Sequence, residues 1–318
     1  MAISAVYLFS NVSVCRGAVV LGQATLFVPA VNFSQVFWSL QQDELDPDLI
    51  VCGAGSSLAT VNKLTGEFIT IAGDENGTSD YVEGVGSLAR FNKVAGVAQT
   101  RTHYIISDTF NNCVRSVLRN SHETNTFAGR CLDIGTNDGP LLTARLRLPR
   151  GLTKYNDDIL YLCDYNSVRI IDLSTGYLRT HLSQTTSENL LNIVIQSTGD
   201  LLISAAHGLL RTMGTEVQWV AGGPNEGVGC DNCSLSAASF HSPWGVSLLT
   251  PTVVLITNLA YRGLTALNMF SNTAHLIYIP AIIFPTSLLV DHHNNTIYIG
   301  EWEREGGGLW KLPFSGKV

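Results

Sequence analysis

The stretch FAGRCLDIGTNDGPLLTARLRLPRGL, from Phe127 to Leu152, recurs in this chain in altered form. Ile71–Val97 reads IAGDENGTSDYVEGVGSLARFNKVAGV, and Val220–Val246 reads VAGGPNEGVGCDNCSLSAASFHSPWGV. Each copy opens with Ala-Gly after an apolar run, continues through a Gly/Asp-rich segment and closes with Ala-x-[Phe/Leu]-x-x-[Pro/Val]-x-Gly. Recurrence of one phrase along a chain predicts a repeat protein.

The alanine that begins the closing phrase marks the spacing of the repeat. It falls at Ala24, Ala89, Ala144 and Ala238, and a degenerate copy begins at Pro280. The interval between Ala144 and Ala238 is 94 residues, close to twice 47, which predicts an eroded copy near 190–195. The chain therefore divides into six units of about 50 residues, a period typical of solenoids and propellers.

Each unit contains apolar runs of strand length and composition. The second run of every unit is four to five residues long, rich in β-branched or aromatic residues, and bounded by turn formers. These runs are LIVCG, YIISD, LYLCD, LLISA, VVLIT and IYIGE. Four such strands per unit, repeated six times, predict an all-β fold, a six-bladed β-propeller forming a single domain over 1–318. The expected blades are 31–73, 94–129, 149–183, 190–222, 243–280 and 285–315, the last completed by 2–9.

The better copies resemble a known repeat. DTFNNCVRSV followed by TFAG, and DG…ARLRLPRGL followed by LYLCDYNSVRIIDLSTG, are similar to the NHL repeat. The resemblance implies a six-bladed propeller over nearly the whole chain. Because NHL propellers serve as binding platforms, as enzymes and as parts of receptors, the resemblance leaves the function open.

The ends of the chain are expected to close the ring. Ala-Gly precedes the anchor alanine by 16 or 17 residues in the good copies, and counting 17 back from Ala24 reaches Tyr7. We therefore expect Ile3–Phe9 to be a fourth strand that pairs with Gly308–Leu312, so that no sheet edge is left open. In this interpretation the apolar N-terminus is a closure strand and not a leader.

Composition excludes some partners. The net charge is −7, only 14% of residues are charged, and no Lys/Arg run is present, so nucleic acid is not an expected partner. No uncharged apolar run reaches 18 residues, so we expect no membrane insertion.

No catalytic, cofactor-binding or metal-binding residues are predicted. Asp108 with Arg115, and Asp164 with Arg169, stand where they would bridge strands within a blade. The eight histidines fall at unlike positions in their units, whereas a zinc site needs histidines that converge on the channel. No repeated Asn/Asp/Glu set marks a calcium site.

Cysteines and N-glycosylation sequons indicate whether the protein follows the secretory route. Cys113 begins a third strand and Cys131 follows the neighbouring fourth strand, which predicts a disulfide between them. CDNC at Cys230–Cys233 is interpreted as a local disulfide or two free thiols, and the pairing of Cys15 stays open. Glycans are expected on Asn11, Asn76 and Asn294, with Asn232 ranked behind them and Asn32 bare.

The long segments between blades are the expected interaction face. They join a fourth strand to the next first strand, and their candidate contact residues are Asp74, Tyr81, Arg90, Asp138, Arg145, Arg147 and Asn225. The sequence favours a non-catalytic, secreted or cell-surface interaction or assembly module, for example one domain of a receptor, adhesin or surface filament. A metal-dependent lyase or hydrolase with its site at the channel mouth is one alternative, and a cytosolic scaffold is another.

Overall fold

The six-bladed β-propeller is confirmed by the structure, a computed structural model. It describes residues 12–15, 19–29, 36–183, 189–214, 216–224, 227, 230–259, 262–302 and 307–316. Each blade is an antiparallel sheet in which successive strands pair in chain order from the first strand outward.

The strands of blades one to three follow the apolar runs of the sequence. In blade one they are Phe37–Gln42, Leu49–Ala54, Ser57–Asn62 and Phe68–Gly73. In blade two they are Val94–Gln99, His103–Asp108, Cys113–Leu118 and Glu123–Ala128. In blade three they are Pro149–Lys154, Ile159–Asp164, Ser167–Asp172 and Tyr177–Leu182.

Blades four to six repeat this arrangement. In blade four the strands are Leu190–Ile195, Leu201–Ala205, Gly208–Met213 and Glu216–Gly222. In blade five they are Val246–Thr250, Val253–Asn258, Gly263–Asn268 and Thr273–Tyr278. In blade six the first three are Pro285–Asp291, Thr296–Glu301 and Leu309–Gly316.

The six first strands form a closed inner ring, because each contacts the first strands of the blades on both sides. Small residues permit this approach. A Cβ added to Gly151 in blade three would lie 2.5 Å from the Cα of Asn192 in blade four. Side-chain hydroxyls also join neighbouring blades: Ser204 Oγ donates to the carbonyl of Trp244 at 3.0 Å.

The ring is closed by an N-terminal strand, but not by the predicted one. Thr25–Val28 is the fourth strand of blade six and pairs with Leu309–Lys311, whose other edge is taken by the second strand. The prediction that Ile3–Phe9 fills this position is therefore wrong, and residues 3–9 lie outside the described residues. The error came from treating Ala24 as the anchor of a first strand, whereas the first strand of blade one begins at Phe37.

Two further strands extend the closed blade. Val19–Leu21 pairs with the end of the last strand, from Phe314 to Gly316, and Val12–Cys15 pairs with Val19–Leu21. Blade six is therefore a six-stranded sheet. The long C-terminal strand thus holds two separate N-terminal segments.

The long insertions run along the rim. Each adds a short strand to the outer edge of the next blade, beside the start of its fourth strand. Because a fourth strand starts at one face and ends at the other, each insertion crosses the thickness of the disc. All three insertions start and end at the same face, where fourth strands end and first strands begin, but between these points they lie along the rim and not above that face. The short strands are Gly84–Val85, Gly139–Pro140 and Cys233–Ser234.

Three single-turn 3₁₀ helices complete the described elements. Two of them follow the short rim strands, and the third follows the second strand of blade two. They are Gly86–Leu88, Leu235–Ala237 and Thr109–Asn111. No helix among the described residues is long and apolar enough to span a membrane.

Candidate binding site at the channel mouth

The recurrent closing phrase has a common structural role. Its anchor alanines, Ala89, Ala144 and Ala238, are buried, as are the apolar residues two positions later, Phe91, Leu146 and Phe240. Four positions after the anchor the backbone adopts positive φ, for example 69° at Lys93. The chain then enters the first strand of the next blade. The phrase therefore fastens the rim insertion to the core and delivers the chain to the channel.

One variable position in this phrase lies at the mouth of the channel. It immediately precedes a glycine in blades two, three and five, and a serine or asparagine in the other three. In blades one, two, four and six the residue at this position is extra to the pairing of the first and second strands, as in a β-bulge. In blade three the same irregularity spans Arg150 and Gly151. The residues at this position, from blade one to blade six, are Trp38, Ala95, Arg150, Leu191, Trp244 and Thr286.

Two tryptophans meet across the ring at this level. The ring centroids of Trp38 and Trp244 are 5.0 Å apart with an interplanar angle of 52°, although blade six separates their blades. Lys93 lies against both: its Nζ is 3.4 Å from the centroid of Trp38 and 4.3 Å from that of Trp244. Blades one, two and five thus contribute one aromatic and cationic cluster.

Two more residues border this cluster. The guanidinium carbon of Arg150 is 5.4 Å from the Trp244 centroid, and the Phe110 ring is 5.7 Å from Lys93 Nζ. We call Trp38, Lys93, Phe110, Arg150 and Trp244 the mouth cluster. An ammonium over an indole face is attracted by the ring quadrupole, so these contacts favour charged Lys93.

Burial and the charge of a neighbouring arginine act against the charged form of Lys93, opposite to the attraction by the indole rings. Burial, and next the charge of Arg150, lower the pKa of Lys93 to about 7. Burial also lowers the pKa of Arg150. Lys93 is therefore close to its titration midpoint at neutral pH, which is unusual for a lysine.

The other end of the channel is polar. Gln41, Gln42, Asp43 and Glu44 of blade one line a cavity of about 250 Å³ together with residues of blades two and three, including Lys154. Lys154 Nζ is 2.7 Å from Glu44 Oε2. The charges here are already paired within the protein.

The predicted Asp–Arg bridges are present and buried. Arg169 Nη1 is 2.8 Å from Asp164 Oδ2, and Arg115 Nη1 is 3.3 Å from Asp108 Oδ2, with all four side chains inaccessible. Burial raises the pKa of each carboxyl to about 6, against the opposing effect of hydrogen bonds and the arginine charges. At neutral pH the ion pair with arginine therefore favours the charged form of each carboxyl against the effect of burial.

The residues proposed as an interaction face mostly hold the insertions to the rim. Asp138 accepts from Arg169 Nη2 at 2.8 Å, and Arg145 pairs with Asp133 at 2.9 Å. Arg147 stacks on Tyr165, with 4.0 Å from its guanidinium carbon to the ring centroid. The remaining contacts are Tyr81 Oη with Thr126 Oγ1 at 3.0 Å, and Asp74 with Arg90 at 3.9 Å, while Asn225 lies outside the described residues.

Among the cysteines whose side chains the structure describes, four form two disulfides. Cys113 is joined to Cys131, and Cys230 to Cys233. Cys52 and Cys163 are free and buried. Within the described part of the chain, no group of three or more His, Cys, Asp or Glu side chains could hold a metal ion.

The predicted glycosylation sites lie on the surface where the structure describes them. Asn76, Asn232 and Asn294 are exposed, and Asn294 also donates to Asp291 at 3.0 Å. Asn11 and Asn32 lie outside the described residues.

Comparison with known proteins defines the class as a six-bladed propeller and goes no further. No family model and no curated protein matches the chain, so the NHL repeat remains a resemblance. An auxiliary nutrient binding protein from Bacteroides thetaiotaomicron is similar in structure, with a TM-score of 0.69, 13% identity, and coverage of 92% of this chain and 76% of that one.

Two other solved structures show how varied such propellers are. A chain of a nidogen/laminin complex has a TM-score of 0.57 at 11% identity, covering 90% of this chain and 87% of that one. A virginiamycin B lyase from Staphylococcus aureus has a TM-score of 0.59 at 11% identity, covering 93% and 99%. Identities this low support the shared fold alone.

The mouth cluster was not predicted from the sequence. The signal was available in the position before the glycine of the closing phrase, which varies among Ala95, Arg150 and Trp244 while its neighbours hardly change. The contribution of Trp38 was hidden, because blade one lacks the phrase. That two tryptophans from blades one and five touch depends on the ring geometry.

Proposed function

We propose that this chain is a protein-interaction module of a secreted or cell-surface protein, and that its partner docks on the rim insertions of blades two and three. The observation that carries the proposal is a concentration of exposed apolar side chains there. Six large ones lie on these two insertions: Val82, Val85, Leu88, Leu132, Ile134 and Leu142. Clusters of exposed apolar side chains are typical of interaction sites.

The insertions are also well anchored, which lowers the entropic cost of binding. Gly86 N donates to the carbonyl of His122 at 3.0 Å, and Leu141 N donates to that of Gly176 at 2.9 Å. The Cys113–Cys131 disulfide ties the second insertion to the third strand of blade two. A partner would therefore meet a preformed surface.

Substitution of the exposed apolar residues tests this surface. Leu88 is 70% exposed and Leu132 is 63% exposed, so Leu88→Asp and Leu132→Asp should leave the fold intact and weaken partner binding at least about tenfold. Phe270→Asp is the matched control, because Phe270 is 89% exposed in the turn before the fourth strand of blade five.

Two measurements read out the effect. Photo-reactive residues at positions 88 and 132 should crosslink to a protein in native secretions, whereas one at position 270 should not. Sedimentation of the purified protein shows whether the partner is a second copy of this chain. Equal crosslinking from all three positions would contradict the proposal.

The secretory route is a separate part of the proposal. Disulfides form and persist in oxidising compartments, and exposed sequons in turns are accessible to glycosylation. We expect glycans on Asn76 and Asn294 in native material, by mass spectrometry of tryptic peptides. Both asparagines found bare would favour the cytosolic scaffold instead.

A further inference from the structure

The described fold pairs its buried cations with carboxylates. Among the described residues, one lysine and two arginines are fully buried, and each has an aspartate carboxylate within 3.3 Å. The pairs are Lys63 with Asp291, Arg115 with Asp108, and Arg169 with Asp164. This is the expected pattern, because a buried charge without a counterion is costly.

Lys93 and Arg150 depart from this pattern. Neither has a carboxylate partner among the described residues, although both are mostly buried. The guanidinium of Arg150 reaches only the carbonyl of Leu190, at 3.5 Å, and its Nε is buried without a hydrogen-bond acceptor. The buried carboxylate of Asp108 in blade two already accepts from Arg115 and from Asn92 N.

The two cations also repel each other, since the charge of Arg150 contributes to the low pKa of Lys93. Two adjacent positive charges with unused donors attract an anion, and a carboxylate can accept from a guanidinium and an ammonium at once. The indoles of Trp38 and Trp244 add flat apolar surface beside them. Such surface stacks on a ring better than on a short chain.

We propose that Lys93 and Arg150 bind the carboxylate of a small ring-bearing acid at the channel mouth, with its ring against Trp38 or Trp244. A uronic acid and a benzoate-type acid share this chemistry. The site is formed by blades one, two, three and five and lies away from the rim insertions. The proposal of an anion site therefore does not depend on whether a protein docks on the rim insertions.

Isothermal titration of the intact chain tests the ligand class. Glucuronate and benzoate are the two ring acids, acetate is the carboxylate without a ring, and glucose is the ring without a carboxylate. At least one ring acid should bind more tightly than both controls, and the tighter acid identifies the ring as a sugar or an aromatic. Absence of binding by both acids, or equal binding of glucose, would overturn the proposal.

Variants locate the site. Arg150→Met and Lys93→Met should each weaken binding about 10- to 100-fold, the range for loss of a charge-assisted hydrogen bond. Arg147→Met is the matched control, since Arg147 is exposed three residues away and stacks on Tyr165. Thermal unfolding shows whether each variant is folded. Unchanged binding in folded Arg150→Met, or a loss in Arg147→Met as large, would refute the assignment.

Proton linkage gives an independent readout. An anion favours the charged form of Lys93, so binding near pH 7.5 should take up a fraction of a proton, measured in buffers of different ionisation enthalpy. Binding should weaken as the pH rises from about 6.5 to 8.5. Lys93→Arg should keep binding and abolish this dependence, and a dependence that persists in it would count against the role of Lys93.

Discussion

Arg169 and Asp164 form an ion pair of 2.8 Å in which neither side chain is accessible to solvent. Arg169 also reaches Asp138 at 2.8 Å, so one guanidinium joins the second and third strands of blade three to the insertion along its rim. Removing the arginine would leave the Asp164 carboxyl buried without its ion-pair partner and would raise its pKa further. We expect Arg169→Met to lower the free energy of unfolding by about 3–5 kcal/mol, measured by urea denaturation.

Arg179→Met is the control in the same blade. Arg179 pairs with Asp172, but its side chain is 53% exposed, and exposed pairs contribute at most about 1 kcal/mol. The double variant Asp164→Asn with Arg169→Met should be more stable than Arg169→Met alone. A loss from Arg179→Met that matches the loss from Arg169→Met would show that burial does not govern these pairs.

Titration of Lys93 should be visible in stability. Its pKa is about 7 in the folded protein and near 10.4 when unfolded, so between these values the unfolded state binds more protons. Stability relative to Lys93→Met should therefore rise with pH from 7 to 10, by at most about 1.4 kcal/mol per pH unit. Urea midpoints of both proteins at pH 6, 8 and 9 test this. If the urea midpoints of the two proteins changed with pH in parallel, the pKa of Lys93 would be at its ordinary value.

The thiols should divide into two classes. Burial raises the pKa of Cys52 and Cys163, so neither thiol should react with iodoacetamide in the native protein, and both should react after unfolding. Non-reduced peptide mapping should recover Cys113 linked to Cys131. Replacing both by alanine should cost about 2–4 kcal/mol. Alkylation of Cys113 and Cys131 in native material would reject the bridge.

The closure strand offers two neighbouring positions with opposite exposure. Val28 is 4% exposed and packs between blades one and six, whereas Leu26 is 49% exposed. Val28→Asp should destabilise the protein by about 3 kcal/mol or more and open a sheet edge that favours aggregation. Leu26→Asp should change stability by less than about 1 kcal/mol. Thermal unfolding and light scattering on both variants distinguish a sealed ring from a loosely attached segment.

How far the sequence predicted this molecule depended on the range of the interactions involved. The strands follow from local alternation and turn residues, and the buried pair Asp164–Arg169 follows from adjacent strands in a hairpin. The predicted closure strand was wrong because Thr25–Val28 lies just after an Ala that mimics the anchor and was therefore assigned to a first strand. Pairing partners far apart in the chain are decided by ring geometry, which local patterns do not contain.

The candidate site was less predictable for the same reason. Lys93 and Arg150 appear in the sequence as ordinary surface cations, and nothing local reveals that they lack counterions. Only the convergence of four blades brings them beside Trp38 and Trp244. The rim insertions were recognised as long, but their course along the neighbouring blade depends on pairing that length alone does not predict.

The pairing of Thr25–Val28 with Leu309–Lys311 has a consequence for synthesis on the ribosome. At roughly 5–20 residues per second, the strand emerges about 15–60 seconds before its partner has been translated. Blades one to five can assemble from neighbouring sequence as they appear, whereas this strand must stay unpaired throughout. The nascent chain is then an open arc whose two ends, at blades one and five, expose the apolar residues that blade six later covers. Chaperones would have to protect both ends until the third strand of blade six is translated.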